Sequence, residues 1–165
     1  MLKSRRRRQS QPVVLEQFLT FSVRQEQFAV PMAQAYRVIP LPPVHGDPYQ
    51  RGIGLVTYED REILVIDIGR CLFDAPFSAS ETQKLRFLLI LQPGLAQEWL
   101  GLPLTDPPVI ERISREAIHP IPPNYLHWGS IHNVSSLMVS YQDDQELPPL
   151  FIVDIEQVLH TLKTR

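Results

Sequence analysis

Residues 39–43 read IPLPP and residues 65–73 read VIDIGRCLF; far downstream, residues 119–123 read HPIPP and residues 152–159 read IVDIEQVL. Pro40, Pro42 and Pro43 recur as Pro120, Pro122 and Pro123, and Asp67-Ile68 recurs as Asp154-Ile155. Each proline corner is followed by a glycine and a strand-like stretch. Each is preceded by a hairpin-like segment, FLTFSVRQEQFAVP (18–31) and FLLILQPGLAQEWLGLP (87–103). Self-similarity at a long offset signals a fold built from repeated units. Two copies of about 60 residues are each too small to bury much core alone. The pattern therefore predicts two small β-lobes leaning on one another across a shared apolar seam, an architecture suited to docking more than to catalysis.

Composition agrees with β structure. Sixteen of 165 residues are proline and only seven are glycine; proline-dense chains with short apolar runs favour strands with rigid connectors over helices. Residues 16–162 are expected to form a single domain, with lobes built mainly from 18–80 and 85–155. ETQKL (81–85) is the expected linker between them, and residues 1–14 a disordered basic tail. From Phe18 the pattern alternates, Leu19, Phe21 and Val23 on one side and Phe18, Thr20 and Ser22 on the other. Pro31 and Pro103 are expected to stop the return strands, because proline cannot donate to a ladder. Residues 32–38 carry no clear period. Glu59-Asp60 reads as the tip of a hairpin opened at Gly52. Asp67 and Asp154 read as helix N-caps; after Asp154, Ile155, Val158, Leu159 and Leu162 follow helical spacing over 154–163.

Charge is unevenly placed. Lys3 and Arg5 to Arg8 put five positive charges in the first eight residues, leaving a body with 11 basic and 18 acidic residues. An acidic body repels phosphate backbones, which argues against nucleic-acid binding by the fold itself. The competing reading is a small β-barrel that binds single-stranded nucleic acid through this basic tail, with steep salt dependence. QSQPV after the arginine run rules out a secretion signal, and the longest apolar run, FLLIL (87–91), is far too short to span a membrane. The single cysteine, Cys71, fits a reducing compartment. A soluble, cytoplasmic protein is expected.

Enzyme signatures are missing: no GxSxG elbow, no glycine-rich phosphate loop, no HExxH and no CxxC. Asp67 and Asp154 could be paired acid/base groups, but their strand-to-helix positions favour capping. His119, His127 and His132 have no spacing that fits convergent ligands. Cys71 reads as a small core filler. No catalytic residue, metal or cofactor is implied. Tyr36, Tyr49, Tyr58, Trp99, Tyr125 and Trp128 lie near the proline corners, and aromatic side chains anchor interfaces at low entropic cost.

FLTFSVRQEQFAVPM (18–32), Gly52-Ile53, ILVIDIGRCLF (63–73), FLLIL (87–91), AIHPIPPNYL and LFIVDIEQVL together resemble the CheW-like chemotaxis adaptor family over about residues 16–162. The resemblance implies a mostly β fold: two SH3-like five-stranded β-barrel lobes sharing a hydrophobic core, with short helices after each lobe and a C-terminal helix. It also implies a non-catalytic adaptor coupling a chemotaxis-type sensor histidine kinase, through that kinase's regulatory domain, to the cytoplasmic tip of chemoreceptors. Carried over by position, the partner-binding residues would include Ala35, Val38, Arg51, Gly52 and Gly101, and Arg37 and Tyr58 are expected to bind the partner with them. Gly52→Asp is then expected to impair binding with the fold mostly intact. Two departures stand out. The family usually has a glutamate where Arg37 stands, and an Asn-Leu-Arg-Gly hairpin where this chain has VTYEDRE. They suggest a divergent coupler, serving a pilus-based or light-directed motility pathway.

Overall fold

The computed structural model describes residues 11–48, 52–123, 131–140 and 147–164. Twelve strands, numbered in chain order, form two six-stranded sheets. One sheet joins the hairpin β1 (Leu15–Val23) and β2 (Glu26–Pro31) to β9 (Val109–Ser114), β10 (Ile118–Pro120), β11 (Val134–Val139) and β12 (Leu150–Val153) in the order β10-β11-β12-β2-β1-β9. The other joins β3 (Ala35–Pro40), β4 (His45–Gly46), β5 (Ile53–Tyr58) and β6 (Arg61–Ile66) to the hairpin β7 (Phe87–Leu91) and β8 (Trp99–Leu104) in the order β3-β7-β8-β6-β5-β4. Each sheet thus has six strands where five were expected. A short strand ends each order, β4 with two residues and β10 with three.

The strands do not divide at residues 81–85, and the expected partition into 18–80 and 85–155 is corrected. Each copy of the repeat gives its hairpin to the other copy's sheet. β2 runs parallel to β12, and β8 runs parallel to β6. The apolar period of a strand tells which faces are buried, not which strand lies beside it, so this exchange is invisible in the pattern. The segment expected as linker carries a capping box: Ser78 and Glu81 cap each other's backbone at the start of α2 (Ala79–Thr82). It connects two parts of the same sheet.

Each sheet is buried on both faces, which explains the uninterrupted run FLLIL. Leu89 and Leu91 enter a cluster shared by both sheets, while Leu88 and Ile90 enter a smaller cluster with Val56, Ile63 and Val65. In the other sheet, Leu19, Phe21, Val23, Phe28 and Val30 face the shared cluster, and Phe18 and Ala29 face a second small one with Ile113, Val139 and Leu150. Phe28 is the hub, with its ring centroid 5.9 Å from Phe73 and 6.2 Å from both Phe21 and Phe151. Burying a side chain of this kind is worth about 1.5–3 kcal/mol, so the shared cluster, the largest of the three, binds the lobes into one body. Pro103 does not end its strand as expected. It lies buried within β8 opposite Leu88, past Gly101 where pairing with β6 stops, so β8 has a single neighbour there and tolerates the missing N–H.

Both predicted caps form. Asp67 accepts from Arg70 N–H at the start of α1 (Ile68–Phe73), and Asp154 accepts from Gln157 N–H at the start of α3 (Ile155–Lys163). These helices send Ile68, Cys71 and Leu72, and Ile155, Val158 and Leu159, into the shared cluster. Cys71 is a buried free thiol, as expected of a filler. Asp67 is fully buried and also accepts from Phe77 N–H at 2.8 Å. Desolvation pushes its carboxyl above the usual range against these bonds. Residues 32–38, unassigned from sequence, are a single 3-10 turn (Met32–Gln34) leading into β3.

Candidate functional site

β3 ends its sheet, pairing only with β7, and its register slips between Ala35 and Arg37. Such irregularities re-aim side chains. Here Ala35 and Tyr36 are half-buried while Arg37 and Val38 are exposed. Opposite them stands the tip of the β5–β6 hairpin, where Tyr58 pairs with Arg61 across Glu59 and Asp60. Both tip residues have positive φ, 48° and 59°. This is the geometry a two-residue hairpin demands and normally fills with Asn-Gly. A glutamate held there against its preference needs compensating contacts.

Arg37 supplies them. Its Nη1 donates to Tyr58 Oη at 2.8 Å and to Glu59 Oε1 at 2.9 Å. Tyr36 donates its hydroxyl to Glu59 Oε2 at 3.0 Å and accepts from Arg61 Nη1 at 3.0 Å. Arg61 also lies 3.5 Å from Glu59, with its guanidinium 4.6 Å from the Trp99 ring centroid and 5.2 Å from that of Tyr36. Tyr36 and Trp99 meet edge to face at 5.0 Å. The Tyr36 hydroxyl first, then Arg37 and Arg61, hold the Glu59 carboxyl below its usual range; the Tyr58 hydroxyl and Glu59 raise Arg37 above its own. Six side chains thus clasp the hairpin tip to β3.

Arg37 and Glu59 come from the two segments in which the sequence departs from the pattern that the resemblance implies, and in this chain they carry opposite charges and pair at 2.9 Å. Arg37, Tyr36, Tyr58, Trp99 and the Glu59-Asp60 tip are separate features of the sequence; the opposite charges of Arg37 and Glu59 are the signal that could join them.

The other expected residues are placed elsewhere. Gly52 is buried at φ +90°, at the far end of β5 from the tip. A Cβ there would lie 3.4 Å from Arg70 Nη1. A side chain here would strain this backbone, so Gly52→Asp would carry a folding cost beside any effect on binding. Gly52 lines a cleft of about 440 Å³ with Ile53, Arg70, Asp74, His132 and Gln157. Gly101 is buried in β8, where a Cβ would sit 2.8 Å from Leu88 Cδ1 and 3.1 Å from Ile63 Cγ2. Its missing side chain makes room for the small cluster of its own sheet. Arg51, Tyr49, Tyr125, His127 and Trp128 lie outside the described residues. His119 bonds Ser140 and the Pro120 carbonyl. Among the described residues no three His, Cys, Asp or Glu side chains gather as metal ligands, and no helix is long and apolar enough to cross a membrane.

Two sheets burying a shared core, with an exposed strand and hairpin tip pinned together, define a two-lobed SH3-like scaffold. The CheW-like domain model matches residues 17–163, and the chain belongs to that family of scaffolds and adaptors. The fold is similar to that of a solved scaffolding protein, TtCheW from Thermoanaerobacter tengcongensis, with a TM-score of 0.65 and 18% identity over 85% of this chain and 89% of that one. No curated protein sequence matches the chain.

Proposed function

We propose that this chain is a cytoplasmic coupling adaptor, joining a chemotaxis-type sensor histidine kinase, through its regulatory domain, to the cytoplasmic tip of chemoreceptor-type proteins. The pathway would be chemotaxis or a pilus-based or light-directed motility. Family membership supports the role, and the observation that carries the placement is the clasp. It holds Ala35, Val38 and the β5–β6 tip as one rigid partner-facing surface on an outer strand, where preorganisation lowers the entropic cost of docking. Arg37 works by fixing the hairpin, and its charge is spent inside the chain. The reading involves no turnover.

The test is to mix purified chain with the histidine kinase and a receptor tip from the same genome. A stable complex with either on size-exclusion chromatography is expected. Elution as separate components in every combination would overturn the reading.

A further inference from the structure

The connector between α1 and β7 lies over the body without joining a sheet. From Asp74 to Lys84 every residue is exposed or half-exposed, and Leu85 is the first buried one. Its helical turn, α2, is capped from within. Its ties to the body include Phe77 N–H to the Asp67 carboxylate and a cluster of contacts from one residue, Arg24. Arg24 sits at the tip of the β1–β2 hairpin with φ 49°, on the opposite sheet. Its Nε donates to Glu81 Oε1 at 2.7 Å, and its Nη2 donates to Glu81 Oε2 at 3.2 Å and to the Pro76 carbonyl at 2.9 Å. The guanidinium also lies 5.5 Å from the Phe73 ring centroid and 5.4 Å from that of Phe77. A planar fork bonded along its edge and stacked on its faces is the geometry arginine holds and lysine does not.

Beside the connector is a partly open pocket of about 160 Å³, lined by Val23, Phe77, Leu85, Pro103 and Leu104, with Arg24, Glu81 and the exposed Ser22, Lys84 and Thr105 on its rim. Segments with little buried apolar surface open at lower free energy than the sheets they lie on.

We propose that residues 74–85 are a strap latched by Arg24, which opens as a unit while both sheets stay folded and widens a partly open, mainly apolar pocket at the seam between the lobes. Arg24 is the positioning residue of this device: it reaches from one lobe to hold a segment belonging to the other. The strap is a conformational element distinct from the partner face on β3, and its opening does not depend on the coupling role.

Native-state hydrogen exchange of the full chain, in rising sub-denaturing urea, tests it. The amides of Phe77, Thr82, Gln83 and Leu85 report the strap, and those of Leu89 and Ile90 report the sheets. In the native chain the strap amides exchange faster and with little urea dependence, while the sheet amides follow global unfolding. Arg24→Ala accelerates the strap amides by on the order of tenfold or more, the scale of hydrogen bonds to charged groups, and leaves their urea dependence small. Glu81→Gln does the same from the strap's side. Strap amides that share the sheets' urea dependence in the native chain, or strap rates unchanged by both substitutions, would overturn the proposal.

Discussion

Protonating or neutralising Glu81 has a consequence that can be worked from the structure. Its carboxyl is lowered from 4.5 to about 2, chiefly by the hydrogen bond from Arg24, with Ser78 and the Arg24 charge adding to it. At about 1.36 kcal/mol per pH unit, the fall from 4.5 to about 2 sets a ceiling of about 3.4 kcal/mol. Both side chains are partly solvated, 24% exposed for Arg24 and 32% for Glu81. Water screens such a pair, and a contribution of about 1–1.5 kcal/mol is the realistic expectation. The sign follows from the direction. A depressed folded-state value means the contribution is complete above pH 4.5 and fades as pH falls towards 2. Glu81→Gln removes the charge yet keeps a residue that can serve the capping box, so the cap is not the cause of any loss. Urea titrations followed by circular dichroism should show the variant about 1–1.5 kcal/mol less stable at pH 7, with the gap closing between pH 4.5 and 2. An equal stability at pH 7, or a gap unchanged at pH 2, would refute the argument.

Other outcomes follow from single residues. Gly101→Val should destabilise by about 1–3 kcal/mol in thermal or urea melts, because the added methyls meet Leu88 and Ile63 in a filled core; full stability with lost partner binding would return Gly101 to the partner surface. Gly52→Ala should cost about 1 kcal/mol or more, since φ +90° suits glycine alone; an unchanged melting curve would contradict that. Asp154→Ala should cost about 1 kcal/mol through the lost bond to Gln157 N–H at 3.0 Å, and Asp154→Ser should restore most of it. If serine fails where alanine failed, the aspartate is not acting as a cap.

Much of this fold is written locally. The doubled proline corners, the alternation of 18–23, the hairpin tip at Glu59-Asp60 and the two caps are short-range signals, and the chain obeys each of them. The exchange of hairpins is long-range. FLLIL and FLTF would be equally satisfied against either set of strands, because periodicity specifies faces and leaves neighbours open. Gly101 shows the same limit: a glycine in a strand signals a close approach, but only packing reveals that the approaching group is Leu88. Arg24 was equally silent, since its reach to Glu81 depends on a left-handed turn and on the two lobes meeting. The partner face was half legible. Val38 stands out by the resemblance, Arg37 as a departure from it and Tyr58 as one of the aromatics near the proline corners, and their union through Glu59 requires the hairpin to fold over β3.

The most direct test of the coupling account is a charge swap within the clasp, read as affinity for the kinase's regulatory domain or the receptor tip by isothermal titration calorimetry. Arg37→Glu alone should weaken binding by on the order of tenfold or more, as the hairpin loses its tie and like charges face each other. Arg37→Glu combined with Glu59→Arg should recover most of that loss with the melting temperature of the native chain. A double variant as weak as the single one would show that Arg37 meets the partner itself, and an affinity untouched by either would remove this face from the interface.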